Sequence, residues 1–253
     1  MNFQLPNIRR AFTPDPGHLL LDVDLTGADA QVVAWEADEP ALKGAFLNGE
    51  DIHNFNGRRV WGNVYDPKKV RRKLMWRDEC KRAVHGTNYA AGVRGLQLAL
   101  SWSTREVEQF RSTWFRLNPK IRAWHERVDR EVRTTRTIRN AFGYRIIYFD
   151  RADGLLPEAL AWIPQSTIAA VTCRAALRIA QWCPWAPLLL QVHDSLVFQL
   201  PFRYDRPCYY RQIKEALEVE IPFPNDPRVI PWGIKSSECS WGDLHKHDWK
   251  DLL

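Results

Sequence analysis

Three aspartates stand where carboxylate chemistry can be built. Leu19-Leu-Leu-Asp22-Val-Asp24-Leu-Thr reads as a buried strand whose alternation sends Leu19, Leu21 and Val23 to one face, with Asp22 and Asp24 on the other. Leu188 to Leu200 reads as two β-prone apolar runs about a polar His193-Asp194-Ser195 tip, the pattern of a tight hairpin with one carboxylate at its apex. An aspartate at a turn commonly caps backbone amides, and Asp194 alone reads that way. The second carboxylate strand changes the reading: if Asp24 and Asp194 meet, they form a site for two divalent cations.

A second constellation is cationic. Arg77, Lys81, His85 and Tyr89 repeat every four residues, and at about 100° per residue this spacing drifts only about 40° per step, so all four lie along one winding helical stripe. Two cations followed by two rings suit a triphosphate and its base; an amphipathic helix with its Val84 side in the core and its basic side in water suits the same residues equally well. Between Lys68 and Arg82 lie eight basic residues against Asp78 and Glu79, a local excess equal to the whole chain's net charge of +6. So concentrated a charge favours a polyanionic partner over an evenly solvated face. Gly86 and Gly92 bracket Thr-Asn-Tyr89, where a close approach to the backbone is expected. His53, in Asp51-Ile-His-Asn-Phe, reads as structural.

The elements that must position these residues follow from local signals. Residues 1–16 hold three prolines and read as irregular backbone, and 28–37 has helix-compatible composition that ends before Pro40 with Asp29 in its first turn. Pro67 is expected to open the basic helix. Ser103 and Glu106 make a capping-box start, Asn118-Pro119 opens a helix with Ile121, Trp124, Val128 and Val132 inward, and Phe142-Gly143-Tyr144 marks a turn between two short strands. Pro164-Gln165 is expected to start a helix with Ile168, Val171, Ala175, Ile179 and Trp182 inward. The Pro- and Trp-rich tail from Pro222 reads as a closing segment of a second domain. The 253 residues suffice for one large domain or two smaller ones, and 45% apolar with 26% charged residues is the composition of a soluble globular chain. No stretch has the length of a signal or membrane segment, so the default location is cytoplasmic. Five cysteines, odd in number and never in a C-x-x-C pair, point to reduced thiols rather than zinc or disulfides.

Three stretches together resemble the palm and fingers of DNA polymerase family A, the DNA polymerase I type: Asp24-Leu-Thr-Gly-Ala-Asp29 beside the family's D-x-S-x-x-E, Arg77 to Tyr89 beside R-x-x-x-K-x-x-x-F-G-x-x-Y-G, and Val192-His193-Asp194-Ser195 beside V-H-D-E. The likeness extends from Asn2-Phe-Gln4, similar to the family's N-L-Q, through Pro164-Gln165-Ser-Thr nearly to the C-terminus. It implies an α+β fold, an antiparallel right-hand palm (residues 1–35 and 153–253) interrupted by helical fingers (36–152), with no thumb. The same resemblance implies template-directed DNA synthesis from dNTPs on primer-template DNA with two Mg²⁺, or Mn²⁺ in their place. Asp24, Asp194 and the Leu25 carbonyl would hold the ions. Arg77, Lys81, His85, Tyr89 and Asp29 would bind the nucleotide, with Lys81 also a proton donor to pyrophosphate, and Gln165 and His193 would touch DNA. Departures are Asp29 for Glu, Gln31 for Arg, His85 for Phe or Tyr, and Ser195 for the second hairpin carboxylate. They keep two alternatives open, a primer-template-binding subunit with lost catalysis and a two-metal nuclease. Because the palm motif follows Met1 directly, a separate chain carrying a thumb or exonuclease is expected, with the twelve tryptophans suiting a buried interface; a truncated or minimal enzyme is the alternative.

Overall fold

The computed structural model describes residues 7–149 and 151–253; Asn2-Phe-Gln4 lies outside them. A short 3-10 turn, Ile8–Ala11, precedes strand β1 (His18–Leu25). Helices α1 (Ala28–Glu36), α2 (Pro40–Leu47) and α3 (Ile52–Trp61) follow, then a hairpin of β2 (Val70–Arg71) and β3 (Leu74–Met75). Next come α4 (Trp76–Asn88), α5 (Val93–Leu100), α6 (Thr104–Leu117), α7 (Pro119–Thr135), the β4 (Thr137–Arg139) and β5 (Arg145–Ile147) pair, and the long α8 (Leu156–Trp182). The remainder is β6 (Leu188–Val192), β7 (Ser195–Pro201), α9 (Pro207–Leu217), β8 (Glu220–Ile221), β9 (Arg228–Val229), β10 (Trp232–Ser237), β11 (His245–His247) and α10 (Trp249–Leu252).

The chain forms two compact units. One comprises the residues up to Ala28 with Ile168–Ile221 and Pro227–Leu253; the other comprises Asp29–Thr167 and Pro222–Asp226. The first is built on a five-stranded antiparallel sheet of order β11-β10-β1-β7-β6. With β10 and β7 on its two sides, β1 is the central strand, and Leu19, Leu20, Leu21 and Val23 are all buried. Both faces of β1 are therefore packed, Leu20 against Val197 and Trp241. The tail supplies β10 and β11, so it completes this sheet: β10 is an inner strand paired with β1, and β11 is the edge beside it.

The second unit is helical around an aromatic cluster. Trp61 meets Tyr65, Trp76, Trp102 and Phe110 with ring centroids 5.6–6.5 Å apart. The end of α4 is pinned by Asn88, whose side chain accepts from Trp114 Nε1 (2.9 Å) and whose carbonyl lies 2.8 Å from His125 Nε2. The Ser103–Glu106 capping box, the turn at Gly143 and the inward stripe of α7 form as their signals require.

Three expectations are corrected and a fourth is narrowed. Pro67 opens a turn, not the basic helix: Lys69 N–H bonds Asp66 O, Arg72 takes φ +57°, and β2 and β3 intervene before α4 begins at Trp76. Pro164 lies inside α8, which starts at Leu156, so this proline costs one helical hydrogen bond instead of marking the first turn. Trp182, at the end of α8, is 53% exposed rather than inward. Seven of the twelve tryptophans (Trp35, Trp76, Trp102, Trp114, Trp124, Trp232 and Trp241) are buried within the units, so these seven fill the cores and are not available to an interface.

Candidate active site

The carboxylates gather at one end of β1. Asp24 lies across from Ser195 on β7 and Gly233 on β10. The two-residue tip His193-Asp194 joins β6 to β7, with Val192 and Ser195 paired directly beneath it. His193 adopts φ +55°, a left-handed geometry costing about 1 kcal/mol or more outside glycine, and the strand pairing on both sides holds it there. The Leu25 N–H donates to the Asp194 carbonyl at 3.3 Å, which stitches this tip to the end of β1. Asp24, Leu25, His193 and Asp194 are thereby brought together within one rigid sheet.

Asp22 and Asp24 share a face but differ in environment. Asp22 is buried and fully engaged, accepting from Ser195 Oγ and Trp241 Nε1, each at 2.7 Å. Ser195 thus replaces a carboxylate with a donor that fastens Asp22. The Asp24 side chain is 40% exposed, with Lys235 Nζ 3.1 Å from Oδ1. A Cβ at Gly233 would stand 3.2 Å from that same oxygen, so glycine leaves the carboxylate its room. These donors fit magnesium. Mg²⁺ keeps several waters and is typically held by one or two carboxylates plus substrate phosphates, and here two part-exposed carboxylates are offered, Asp24 from β1 and Asp194 from the adjoining hairpin tip. No group of three or more His, Cys, Asp or Glu among the described residues forms a dedicated metal cage.

In the helical unit, α4 carries the cationic stripe, and its members have distinct settings. Arg77 is half-exposed and forks onto Asp51 Oδ2 through Nε (3.1 Å) and Nη2 (2.6 Å). Asp51 is also the N-cap of α3, accepting from His53 and Asn54 N–H groups. Burial works to raise the Asp51 pKa, but the bonds from Arg77 and Asn54 prevail and hold it below the usual range. His53 is pushed down to about 4 by burial and by the charge of Arg77, in keeping with a neutral ring. Lys81 is exposed and, with Asp78, Arg82 and His85, lines an open pocket of about 320 Å³. His85 Nδ1 lies 3.1 Å from Asp29 Oδ2, and the Tyr89 hydroxyl donates to Asp29 Oδ1. The two rings meet edge to face at 4.6 Å. Burial and the Asp29 charge drive the Tyr89 pKa far up, so the phenol stays protonated. Asp29 is thus held by both rings at the start of α1. Tyr89, at the C-cap of α4, is buried, so the stripe is exposed only as far as His85.

A Cβ on Gly86 would come within 2.7 Å of Leu96, the close approach expected there; Gly92 has open space around it and serves as the N-cap of α5. Gln165 is exposed on α8. The sequence reading missed Lys235, the Ser195–Asp22 bond and Asp51 as the partner of Arg77. Lys235 alternates with Gly233 on an inferable strand, but only the sheet order puts that strand beside β1.

Residues 3–224 match the family model for DNA polymerase family A. The chain belongs to this family. Among its relatives, thermostable DNA polymerase I of Thermus filiformis is 32% identical over 77% of this chain and 24% of its own length. The DNA polymerase of Mycobacterium phage D29 is 25% identical over 96% of this chain and 38% of its own. The chain thus spans about a quarter to two fifths of these family members. The fold matches the POL domain of Pol1 from M. smegmatis, solved in complex with DNA primer-template and dNTP, at a TM-score of 0.80 and 21% identity, covering 92% of this chain and 42% of that one. No helix among the described residues is long and apolar enough to cross a membrane.

Proposed function

We propose that this family A chain carries the catalytic palm and fingers of a template-directed DNA polymerase, joining a dNTP to a primer 3′-hydroxyl with release of pyrophosphate. The observation that carries the reading is that Asp24, paired with Ser195 on β7, lies beside the hairpin tip bearing Asp194, which the Leu25 to Asp194 backbone bond ties to β1. Palm would comprise 1–35 and 153–253, and fingers 36–152. Primer-template DNA and dNTPs would be its partners, together with a separate protein segment serving as thumb or exonuclease.

Asp24, Asp194 and the Leu25 carbonyl would hold two Mg²⁺, or Mn²⁺. Bound there, the ions supply charge neutralisation at the attacking and leaving oxygens. The protein's own part is positioning. Arg77, with a planar fork, and Lys81, an exposed ammonium, would bind triphosphate oxygens, and Lys81 would serve as proton donor to the departing pyrophosphate. Arg77 would have to exchange its Asp51 contact for phosphate, or share it. His85 would pack on the incoming nucleotide. Asp29, braced by Tyr89, would meet the sugar, one methylene shorter than the family's Glu. Gln165 and His193, both exposed, would contact the primer-template.

The Lys235 contact to Asp24 favours a second reading, a primer-template-binding subunit with weakened chemistry, because a cation already balances the carboxylate. Primer extension with dNTPs and Mg²⁺ separates these readings. Elongation supports the polymerase, binding without elongation supports the subunit, and shortening of the primer identifies a nuclease.

A further inference from the structure

The β2–β3 hairpin has two chemically different faces. Paired residues across antiparallel strands point to the same side. Arg71 and Leu74 form one such pair and Val70 and Met75 the other. The Arg71 side turns inward: its guanidinium lies 5.0 Å from the Trp76 ring centroid and 3.5 Å from Glu79. Arg72, at the tip, donates to Glu79 (3.2 Å) and to Glu106. Glu79 is 1% exposed and also accepts from Trp102 Nε1. The hairpin is therefore clamped to α4 and α6 by two arginines whose charge is already balanced.

The other side carries what remains. Val70 is 60% exposed and Met75 38%, a cross-strand apolar pair facing water. Lys68 and Lys69, immediately before β2, and Lys73, in the hairpin tip, are exposed, and none forms an ion pair among the described residues. The nearby acid, Asp66, uses its carboxylate to accept from the Lys68 backbone N–H at 2.9 Å. An exposed apolar pair on a hairpin whose start and tip carry unbalanced lysines matches a strand that offers both base faces and phosphates. A duplex offers chiefly phosphates, because its bases are stacked within. Single-strand sites combine cations along the backbone with side chains, aromatic in the usual case, under the bases; here the exposed Val70–Met75 pair takes that place.

We propose that the outward face of this hairpin binds an unpaired nucleic-acid strand, with phosphates on Lys68, Lys69 and Lys73 and a base on Val70 and Met75. The identification of that strand as the template rests on the polymerase reading; the binding itself does not.

The test measures anisotropy of a labelled single strand of about 20 nucleotides against a blunt duplex of the same length, over a salt series. K68A/K69A/K73A should flatten the slope of log K against log salt for the single strand by about 2, at about 0.7 per phosphate contact. V70S/M75S should weaken single-strand binding severalfold and leave the duplex unchanged. An unaltered slope in the lysine variant, or equal losses on both probes in the apolar variant, would overturn the assignment. All five side chains are exposed, so circular dichroism and the melting temperature should match the parent and report that the fold is intact. Extension on a template with a one-nucleotide overhang reads catalysis separately, so the polymerase reading can fail while the hairpin assignment stands.

Discussion

Asp24 and Asp22 sit two residues apart on one strand and one face, yet hydrogen bonding gives them opposite fates. Asp22 is consumed by Ser195 and Trp241, whereas Asp24 keeps an exposed carboxylate and a single cation. Replacing Asp24 or Asp194 by Asn should therefore cut primer extension by at least about 10³ while DNA binding changes little, since each loses charge at the ion site and in the transition state. Near-parental extension by either variant would end the two-ion assignment. Lys235 yields a separate expectation, because an ammonium on Oδ1 competes with any metal for the same oxygen. Lys235→Ala should tighten Mn²⁺ binding, read by electron paramagnetic resonance of free Mn²⁺, and an unchanged or weaker affinity would show that Lys235 does not oppose the ion. Asp29→Glu should lower ribonucleotide incorporation relative to the parent through a closer press on the 2′-hydroxyl; unchanged or poorer discrimination would remove Asp29 from the sugar. At this scale the sequence supplied Asp24, Asp29 and Asp194 through motif spacing. It withheld Lys235 and Asp51, because their roles depend on strand order and on a helix cap meeting a distant arginine.

Elements whose signals are local were legible, and those whose signals compete were not. Ser103 and Glu106 lie three residues apart, and the reciprocal bonds they make are the ones that spacing dictates. Pro67 and Pro164 misled for a common reason: proline is compatible with the first turn of a helix, but equally with a turn or with a helix held by neighbours. The hairpin that replaces the expected helix start is bound through Arg72 to Glu106, so the cap of α6 and the hairpin share one carboxylate. The Ser103 N–H bond and then Arg72 hold the Glu106 pKa down at about 2, against an ordinary 4.5. With the folded value depressed, the contribution is fully present above about pH 4.5 and disappears as pH falls toward 2. Acid unfolding of Glu106→Gln, followed by circular dichroism, should therefore show a shallower dependence on pH across that window than the parent. Identical slopes would mean that the carboxylate gains nothing from its partners in the folded state.

At the scale of the whole chain, the two compact units change over at Ala28 and Thr167, at the start of α1 and within α8, where the helix runs on unbroken past Pro164. Each unit has its own core, a leucine-rich sheet in one and the Trp61 cluster in the other, and the cationic surface lies largely in the helical one. On the polymerase reading, the affinity of the 253-residue chain by itself for primer-template would rest mainly on exposed lysines and arginines whose grip is counterion release. Such binding weakens by about 0.9 log units per neutralised phosphate for each log unit of salt on duplex DNA. Apolar residues of the sheet unit that remain exposed, Leu177, Trp182, Leu188 and Leu189, are candidates for covering by a further protein segment. The chain alone should accordingly extend a primer by few nucleotides per encounter, with product length falling steeply as salt rises, and a thumb-bearing partner should lengthen products without raising the rate of single additions. Extension under a trap of excess unlabelled DNA measures this directly. Long products from single binding events at near-physiological salt, made by a monomer with no other protein present, would show that the palm and fingers grip DNA unaided and that no such partner is required.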